Sequence, residues 1–223
     1  MKVTFLAALS AFMILALTGC GSDNNDGPPV FVASILSVPE YDGDIQKNLS
    51  TGELLNITHA VNTQNVLVGI DPNSGDEFRA FLHFPLTGVD GVPGDAIIES
   101  AFLDIVITSI APQPLDGSIP VRIDLVSFLQ PLVLTDFDRT LQPSLATTTV
   151  SPPISSADFG QHVPIDVTPL MIEAQRLGLL DFQVRIMEDL GGVTPGLIEI
   201  NDINDLTGEL RSALAPLLTV NYF

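Results

Sequence analysis

Residues 180–186 read Leu180-Asp-Phe-Gln-Val-Arg-Ile186, and this stretch decides the fold class because apolar and polar side chains alternate along it. A period of two places successive side chains on opposite faces of a β-strand. We therefore predict a strand here. Its inward face carries Phe182, Val184 and Ile186, and its outward face carries Gln183 and Arg185.

The same alternation recurs in residues 78–86, 97–108, 121–127 and 217–223, which we also predict as strands. The side chains expected to face the core are Leu82, Phe84, Leu86, Ala101, Leu103, Ile105, Ile107, Val121, Ile123 and Leu125. Seventeen glycines and seventeen prolines separate the apolar runs, as turns do in all-β domains. The predicted fold class is all-β, an antiparallel two-sheet β-sandwich resembling a jelly roll.

One short helix is expected among the strands. Thr168 is an N-cap candidate, Pro169 suits the first helical position, and Gly178 can end the helix. Because the apolar stripe between them is rough, we predict only one or two turns.

The N-terminal segment has the charge and hydropathy pattern of a secretory signal. Lys2 is followed by an apolar run from Val3 to Leu17 and then by Thr18-Gly19-Cys20, which holds the only cysteine of the chain. This run is shorter than the roughly 20 residues that a transmembrane helix needs. Leu17-Thr18-Gly19-Cys20 resembles the bacterial lipobox, which implies cleavage before Cys20 and lipidation of its thiol. The alternative is an ordinary signal with an incidental cysteine.

This resemblance sets the expected domain organisation and location. We predict a signal peptide at 1–19, the lipidated Cys20 with a flexible linker at 20–29, and one β-sandwich domain at 30–223; residues 21–29 lack any apolar side chain that could pack. Several acyl chains hold a protein stably on a membrane. Since Gly21 and not Asp follows Cys20, the enteric sorting rule favours the outer membrane, facing either the periplasm or the outside.

Charge excludes one class of partner. The chain has 8 Lys and Arg against 27 Asp and Glu, a net charge of −19, and loss of Lys2 with the signal would make it −20. Nucleic-acid binding needs a basic surface, so we exclude it. The acidity is explained either by cation binding or by solubility alone.

The order of segments resembles the bacterial surface domains called DNRLRE domains, a jelly-roll family grouped with carbohydrate-binding modules. The matching pieces are Arg79-Ala-Phe-Leu-His-Phe-Pro-Leu86, Val92-Pro-Gly-Asp-Ala-Ile-Ile-Glu-Ser-Ala-Phe-Leu103, Ile165-Asp-Val-Thr-Pro-Leu170, Leu180 to Ile186 and Leu218 to Tyr222. The motif that names the family is absent as a contiguous string, His83 and Pro85 stand where the family often has Arg and Asp, and the usual tryptophan is missing. The resemblance implies a jelly roll that binds a carbohydrate.

Catalysis is not expected, so no catalytic, cofactor-binding or metal-binding residue is predicted, and the lipidation site at Cys20 is the one site that we predict. His59, His83 and His162 each lack a nearby Gly-x-Ser-x-Gly elbow, and His83 is interpreted as a solvent-facing or locally paired strand residue. No resident cofactor is predicted. Calcium is the metal considered, because carboxylates are hard oxygen ligands. Its candidate segments, which ordinary turns also explain, are residues 71–77, 136–138 and 201–205.

Two functions stay open. The first is a structural or binding role in an envelope assembly or adhesive layer, with a protein partner docking on a sheet edge or on the loop from Ile110 to Ile119. The second is calcium-assisted binding of an extracellular polysaccharide. The absence of Trp and the presence of only two tyrosines, Tyr41 and Tyr222, disfavour a neutral-sugar platform.

Overall fold

The computed structural model describes residues 28–112, 114, 117–189, 195–204 and 208–223. The predicted signal, Cys20 and the linker up to Gly27 lie outside the described residues. The strands within the described part are β1 (Phe31–Leu36), β2 (Gly43–Asn48), β3 (Leu54–His59), β4 (Asn65–Ile70), β5 (Asp76–Pro85), β6 (Ile98–Pro112), β7 (Ser118–Ile119), β8 (Val121–Val126), β9 (Ala146–Thr149), β10 (Ile154–Ser155), β11 (His162–Asp166), β12 (Asp181–Glu188), β13 (Gly196–Asn201) and β14 (Leu217–Tyr222).

The strands pair antiparallel in two layers that share β6. Residues 98–106 of β6 pair with β14 and β11, and β1 extends that layer as the edge strand beyond β14. Residues 107–112 of β6 pair with β13, which leads into the second layer of β4, β5, β2, β3, β12, β8 and β9. A small separate pair joins β7 to β10. The predicted antiparallel β-sandwich is confirmed.

The main core lies between the layers and follows the predicted alternation. Every side chain that the sequence assigns to the core from β5, β6, β8 and β12 is buried there, together with Ile35 from β1 and Val220 from β14. Exclusion of this apolar surface from water is the largest favourable contribution to the fold.

Three α-helices accompany the strands in the described residues, α1 (Ala60–Thr63), α2 (Thr168–Leu177) and α3 (Glu209–Leu214), together with short 3-10 helices at Leu134–Phe137 and Ser156–Asp158. The predicted helix is α2, and Gly178 ends it in the left-handed region at φ 65°. The predicted cap and length were wrong. Val167 is the N-cap, and the helix has ten residues because Leu170, Met171 and Ala174 pack on the core. None of these helices is both long enough and apolar enough to cross a membrane.

A second, smaller core lies on the opposite face of the second layer. The connection between β8 and β9, residues 127–145, folds over this face and is called the covering segment below. Its side chains Phe128, Leu132 and Phe137 pack with Ile45, Phe81 and Val126. The outward face of β12 is therefore buried rather than exposed to water.

The proposed docking loop from Ile110 to Ile119 is largely strand. Ile110 to Pro112 end β6, and Ser118 and Ile119 form β7. Residues 113, 115 and 116 lie outside the described part of the chain.

Candidate functional site

Positive side chains concentrate on the covered face of the second layer. Seven Lys and Arg residues lie in the described part of the chain, and five of them project from this face or from the covering segment: Lys47, Arg79, Arg122, Arg139 and Arg185. In a chain of net charge −19, this is a local concentration of positive side chains. The five residues divide into a structural pair and three that line a pocket.

Arg185 holds the covering segment on the sheet. Its side chain is fully buried, with Nη2 at 2.8 Å from Oδ2 of the equally buried Asp124. Its Nη1 donates to the carbonyl oxygens of Asp136 at 3.3 Å and Gln142 at 3.0 Å. Burial lowers the pKa of Arg185, and the Asp124 carboxylate opposes that shift. A charge held in this way on both sides is a structural clamp.

Arg122 completes this clamp. Its Nε lies 3.2 Å from Oδ1 of Asp124, and the Thr147 hydroxyl donates to the same oxygen at 2.9 Å. The Asp124 carboxylate is thus surrounded by partners, as a buried charge must be. These two arginines form ion pairs with Asp124 and have a structural role rather than a ligand-binding one.

The other three positive residues line one pocket of about 330 Å³. Lys47 comes from β2, Arg79 from β5 and Arg139 from the covering segment. The rest of the lining is Gly52, Leu54, Phe137 and Asp138. The pocket therefore opens where the covering segment meets the end of β2 and the start of β3.

The ring of Phe137 organises two of the cations. The guanidinium carbon of Arg79 lies 3.8 Å from the centroid of that ring, and Nζ of Lys47 lies 5.4 Å from it. Nε of Arg79 is 2.6 Å from Oε1 of Glu77, and its Nη1 donates to the Phe137 carbonyl. Stacking on an aromatic face attracts a cation and limits its rotamers.

Several donors in this pocket have no hydrogen-bond partner in the part of the chain that the structure describes. Among the described residues, neither Nζ of Lys47 nor Nη2 of Arg79 makes a hydrogen bond, and Lys47 is in no ion pair. Arg139 lies with Nε 3.6 Å from Oδ2 of Asp124, and its side chain is 43% exposed. The pocket thus offers N–H groups to whatever enters it.

Asp138 is the one carboxylate in the lining, and it is already satisfied. It accepts from the backbone N–H and the hydroxyl of Thr140, each at 2.8 Å. The backbone hydrogen bond from Thr140 is the largest cause that lowers the pKa of Asp138, and Lys47 contributes further. The lining thus holds three cations and one carboxylate, while Glu77 and Asp124 lie against Arg79 and Arg139 from outside it.

His83 is the locally paired strand residue that the sequence allowed, and it is buried. Its Nδ1 lies 2.7 Å from Nε2 of Gln130 and 3.1 Å from Nε2 of Gln183, so it fixes the covering segment. Burial lowers its pKa, although Asp181 opposes that shift, so the ring is neutral at pH 7. His162 is exposed and pairs with Asp104 at 2.6 Å.

The calcium candidates use their carboxylates within the protein. Asp71 accepts from Asn73 and Ser74 in the turn between β4 and β5, Asp136 accepts from the Val133 N–H, and Asp202 pairs with Arg211 at 3.1 Å. Asp205 lies outside the described residues. In the part of the chain that is described, no three His, Cys, Asp or Glu side chains lie close enough to hold a metal ion.

The burial of three carboxyl groups, those of Asp42, Asp44 and Glu188, was not predicted from the sequence. Burial raises the pKa of Asp44 and of Glu188 to about 7 in each case. Burial is also the largest cause that raises the pKa of Asp42 well above its ordinary value, and the neighbouring Asp202 adds to it. Asp42 accepts the His83 N–H at 2.7 Å, and Asp44 accepts the Leu67 N–H at 3.0 Å. No sequence pattern separates these acids from the exposed ones.

Comparison with known proteins adds little to this geometry. No family model matches the chain, and no curated protein matches it. A structure of infectious bursal disease virus, Gx strain, is similar at 12% identity and a TM-score of 0.22, covering 87% of this chain and 36% of that one. The VP2 subviral particle of infectious bursal disease virus is similar at 10% identity and a TM-score of 0.19, covering 87% and 76%. The chain spans about a third of the first of these, and such scores carry no argument about function.

Proposed function

We propose that this protein is a lipid-anchored β-sandwich of the bacterial envelope that binds a ligand and catalyses no reaction. The observation that carries the binding role is the positive pocket beside the covering segment in a molecule of net charge −19. Anchoring rests on Leu17-Thr18-Gly19-Cys20 and on the polar linker behind it. We assign the anchor to the outer membrane.

The use of the titratable groups supports binding over catalysis. A general base must reach the proton it abstracts with a suitable pKa. His83 is buried between glutamine side chains, and Asp124 is enclosed by Arg122, Arg185 and Thr147. These groups hold the covering segment in place.

We further propose that the domain is related to DNRLRE domains. The matching segments coincide with elements of the fold: Arg79 and the residues after it lie in β5, residues 165–170 lead from β11 into α2, and Leu218 to Tyr222 lie in β14. This agreement supports the resemblance in the order of elements.

The second candidate function is calcium-assisted binding of an extracellular polysaccharide. Asp202 favours it most, since this fully buried carboxyl lies close enough to Asp42 to raise the pKa of Asp42, and carboxyl oxygens are the ligands that calcium prefers. The full chain should be titrated with acidic and neutral polysaccharides in calcium and again in chelator. Binding lost in chelator would support this function, whereas binding that is indifferent to chelator would reject it.

Anchoring is tested by expressing the full chain in a Gram-negative host and measuring the mass of its N-terminal peptide. We expect a peptide that begins at Cys20 and carries fatty acyl chains, with the protein in the detergent phase. Cys20→Ser should lose the acyl mass and leave that phase. Ser22→Ala is the matched control and should keep both properties. An unmodified Cys20 in the wild-type chain would contradict the anchor.

A further inference from the structure

We propose that the pocket lined by Lys47, Arg79 and Arg139 binds the carboxylate of an organic acid about the size of one sugar unit or one amino acid. The inference rests on the binding role proposed above and names the chemical class of its ligand.

Charge comes first. Positive side chains are scarce, yet three of them meet at this pocket from three separate parts of the chain. Bringing like charges together costs free energy unless something offsets it. Glu77 pairs with Arg79, Asp124 lies 3.6 Å from Arg139 and Asp138 attracts Lys47, but the ammonium of Lys47 has no ion-pair partner among the described residues. An anion in the pocket would pair with that ammonium.

Donor geometry favours an oxygen acid. Three groups with N–H donors make no hydrogen bond to the described residues, namely Nη2 of Arg79, Nζ of Lys47 and the exposed guanidinium of Arg139. A planar guanidinium matches the two oxygens of a carboxylate, and charge-assisted hydrogen bonds are stronger than neutral ones. The 3.8 Å stacking of Arg79 on Phe137 fixes one of these donors before any ligand arrives. Such preorganisation lowers the entropic cost of binding.

Shape and size limit the rest of the ligand. Half-buried Leu54 gives the pocket an apolar wall beside the cations, and the volume of about 330 Å³ fits a small organic molecule. Asp138 stays ionised in the lining and the whole molecule is strongly negative, so a ligand with several charges is disfavoured. One carboxylate on a compact, partly apolar body satisfies all of these conditions.

The test is isothermal titration calorimetry of the full chain in detergent with two matched pairs of probes. The first pair is glucuronate and glucose, and the second is N-acetylalanine and N-acetylalanine amide. We expect saturable binding of at least one acid, with its neutral partner at least tenfold weaker, and weakening of that acid as salt rises. Which pair responds identifies a sugar acid or an amino acid as the source of the carboxylate.

Two substitutions locate the site. Lys47→Met and Arg139→Gln each remove one exposed or half-buried cation, and each should weaken binding of the acid at least tenfold. Arg176→Gln removes an exposed cation from α2, outside the pocket, and should leave the affinity unchanged. Circular dichroism before titration confirms that each variant is folded. If Lys47→Met is not folded, Arg139→Gln decides the location alone, because its side chain lies at the surface.

The proposal is overturned if neither acid binds at low salt, if sulfate competes as well as the acids do, or if Arg176→Gln weakens binding as much as the pocket variants. This failure is separate from failure of the anchor. A lipidated chain that binds neither acid refutes only the pocket, and a chain that binds an acid without lipidation refutes only the anchor.

Discussion

The same strands bury the two faces of the second layer in different ways. On the inner face, Phe182 and Val184 of β12 pack in the main apolar core. On the outer face of the same strand, Gln183 and Arg185 are equally buried, but they are hydrogen-bonded to the covering segment and to Asp124. The inner face is held by exclusion of water, whereas the outer face combines a small apolar core with buried polar groups that hydrogen-bond to the covering segment.

The difference shows what alternation can and cannot predict. A period of two assigns residues to faces, and those assignments were confirmed for β5, β6, β8 and β12. It says nothing about whether a second face meets water. In this protein a connection of 19 residues decides that, because its three large apolar side chains need a surface to cover.

The largest expected effect on stability comes from substituting two adjacent residues of β12, one on each face. Arg185→Met leaves Asp124 buried with fewer partners and the carbonyls of Asp136 and Gln142 without their donor, so we expect the free energy of unfolding to fall by about 3–5 kcal/mol. Val184→Ala on the inner face should cost about 2 kcal/mol. Urea unfolding followed by circular dichroism measures both.

A double variant sharpens this comparison. Arg185→Met combined with Asp124→Leu replaces the buried ion pair by apolar side chains and should recover much of the loss. If Arg185→Met alone lost less than Val184→Ala, the clamp on the covering segment would be refuted.

The next effect is a pH dependence that comes from buried carboxyl groups. Asp44 and Glu188 have a pKa of about 7 in the folded state against 3.8 and 4.5 ordinarily, so folding favours their protonated forms. Their contribution to stability is fully present below pH 3.8 and is lost as the pH rises through 7. We expect Asp44 alone to cost on the order of 2 kcal/mol across that interval, less than the full shift because water reaches a buried charge.

Asp44→Asn separates this contribution from the general repulsion of a molecule with a net charge of −19. The variant should lose less stability than the wild type between pH 4 and pH 8 in urea unfolding. Asp71→Asn changes an exposed carboxylate in a turn and should keep the wild-type slope, since the pKa of Asp71 is lowered rather than raised. Equal slopes for Asp44→Asn and the wild type would contradict the assignment.

The smallest expected effect is at the surface. Arg176 and Glu173 form a two-bond ion pair on α2 at 2.7 Å, with the Arg176 side chain 65% exposed. Exposed pairs of this kind contribute little because water screens them. Arg176→Gln should leave the free energy of unfolding almost unchanged in the same urea assay. A loss comparable to that of Arg185→Met would mean that exposure does not govern the strength of these pairs.

The sequence predicted the fold better than the site because the two depend on different distances along the chain. The alternation around Phe182 and around Leu103 is local, and so is the Pro169 and Gly178 pattern that bounds α2. The pocket joins Lys47, Arg79 and Arg139, which lie far apart in the sequence and in three different segments. No local period links them, and only the pairing of β2 with β5 and the path of the covering segment bring them together.

The buried acids illustrate the same limit. Asp44 sits beside Ile45 in a strand that the sequence did not predict, and its burial follows from the pairing of β2 with both β3 and β5. The residues from Arg79 to Leu86 resemble a family motif. The stacking of Arg79 on Phe137, however, depends on a loop that lies 58 residues later in the sequence. The negative net charge of the whole chain therefore gave no indication that positive side chains meet at one pocket.

β6 has a consequence for how the molecule reaches this structure. Its fifteen residues serve β14 and β11 at one end and β13 at the other, so one strand belongs to both layers. A slip of one residue along β6 would turn its core side chains toward the wrong face in both layers at once. The strand registers of the two layers are therefore coupled through β6. Folding has to find one correct register for β6, whereas two separate sheets would each have to find their own.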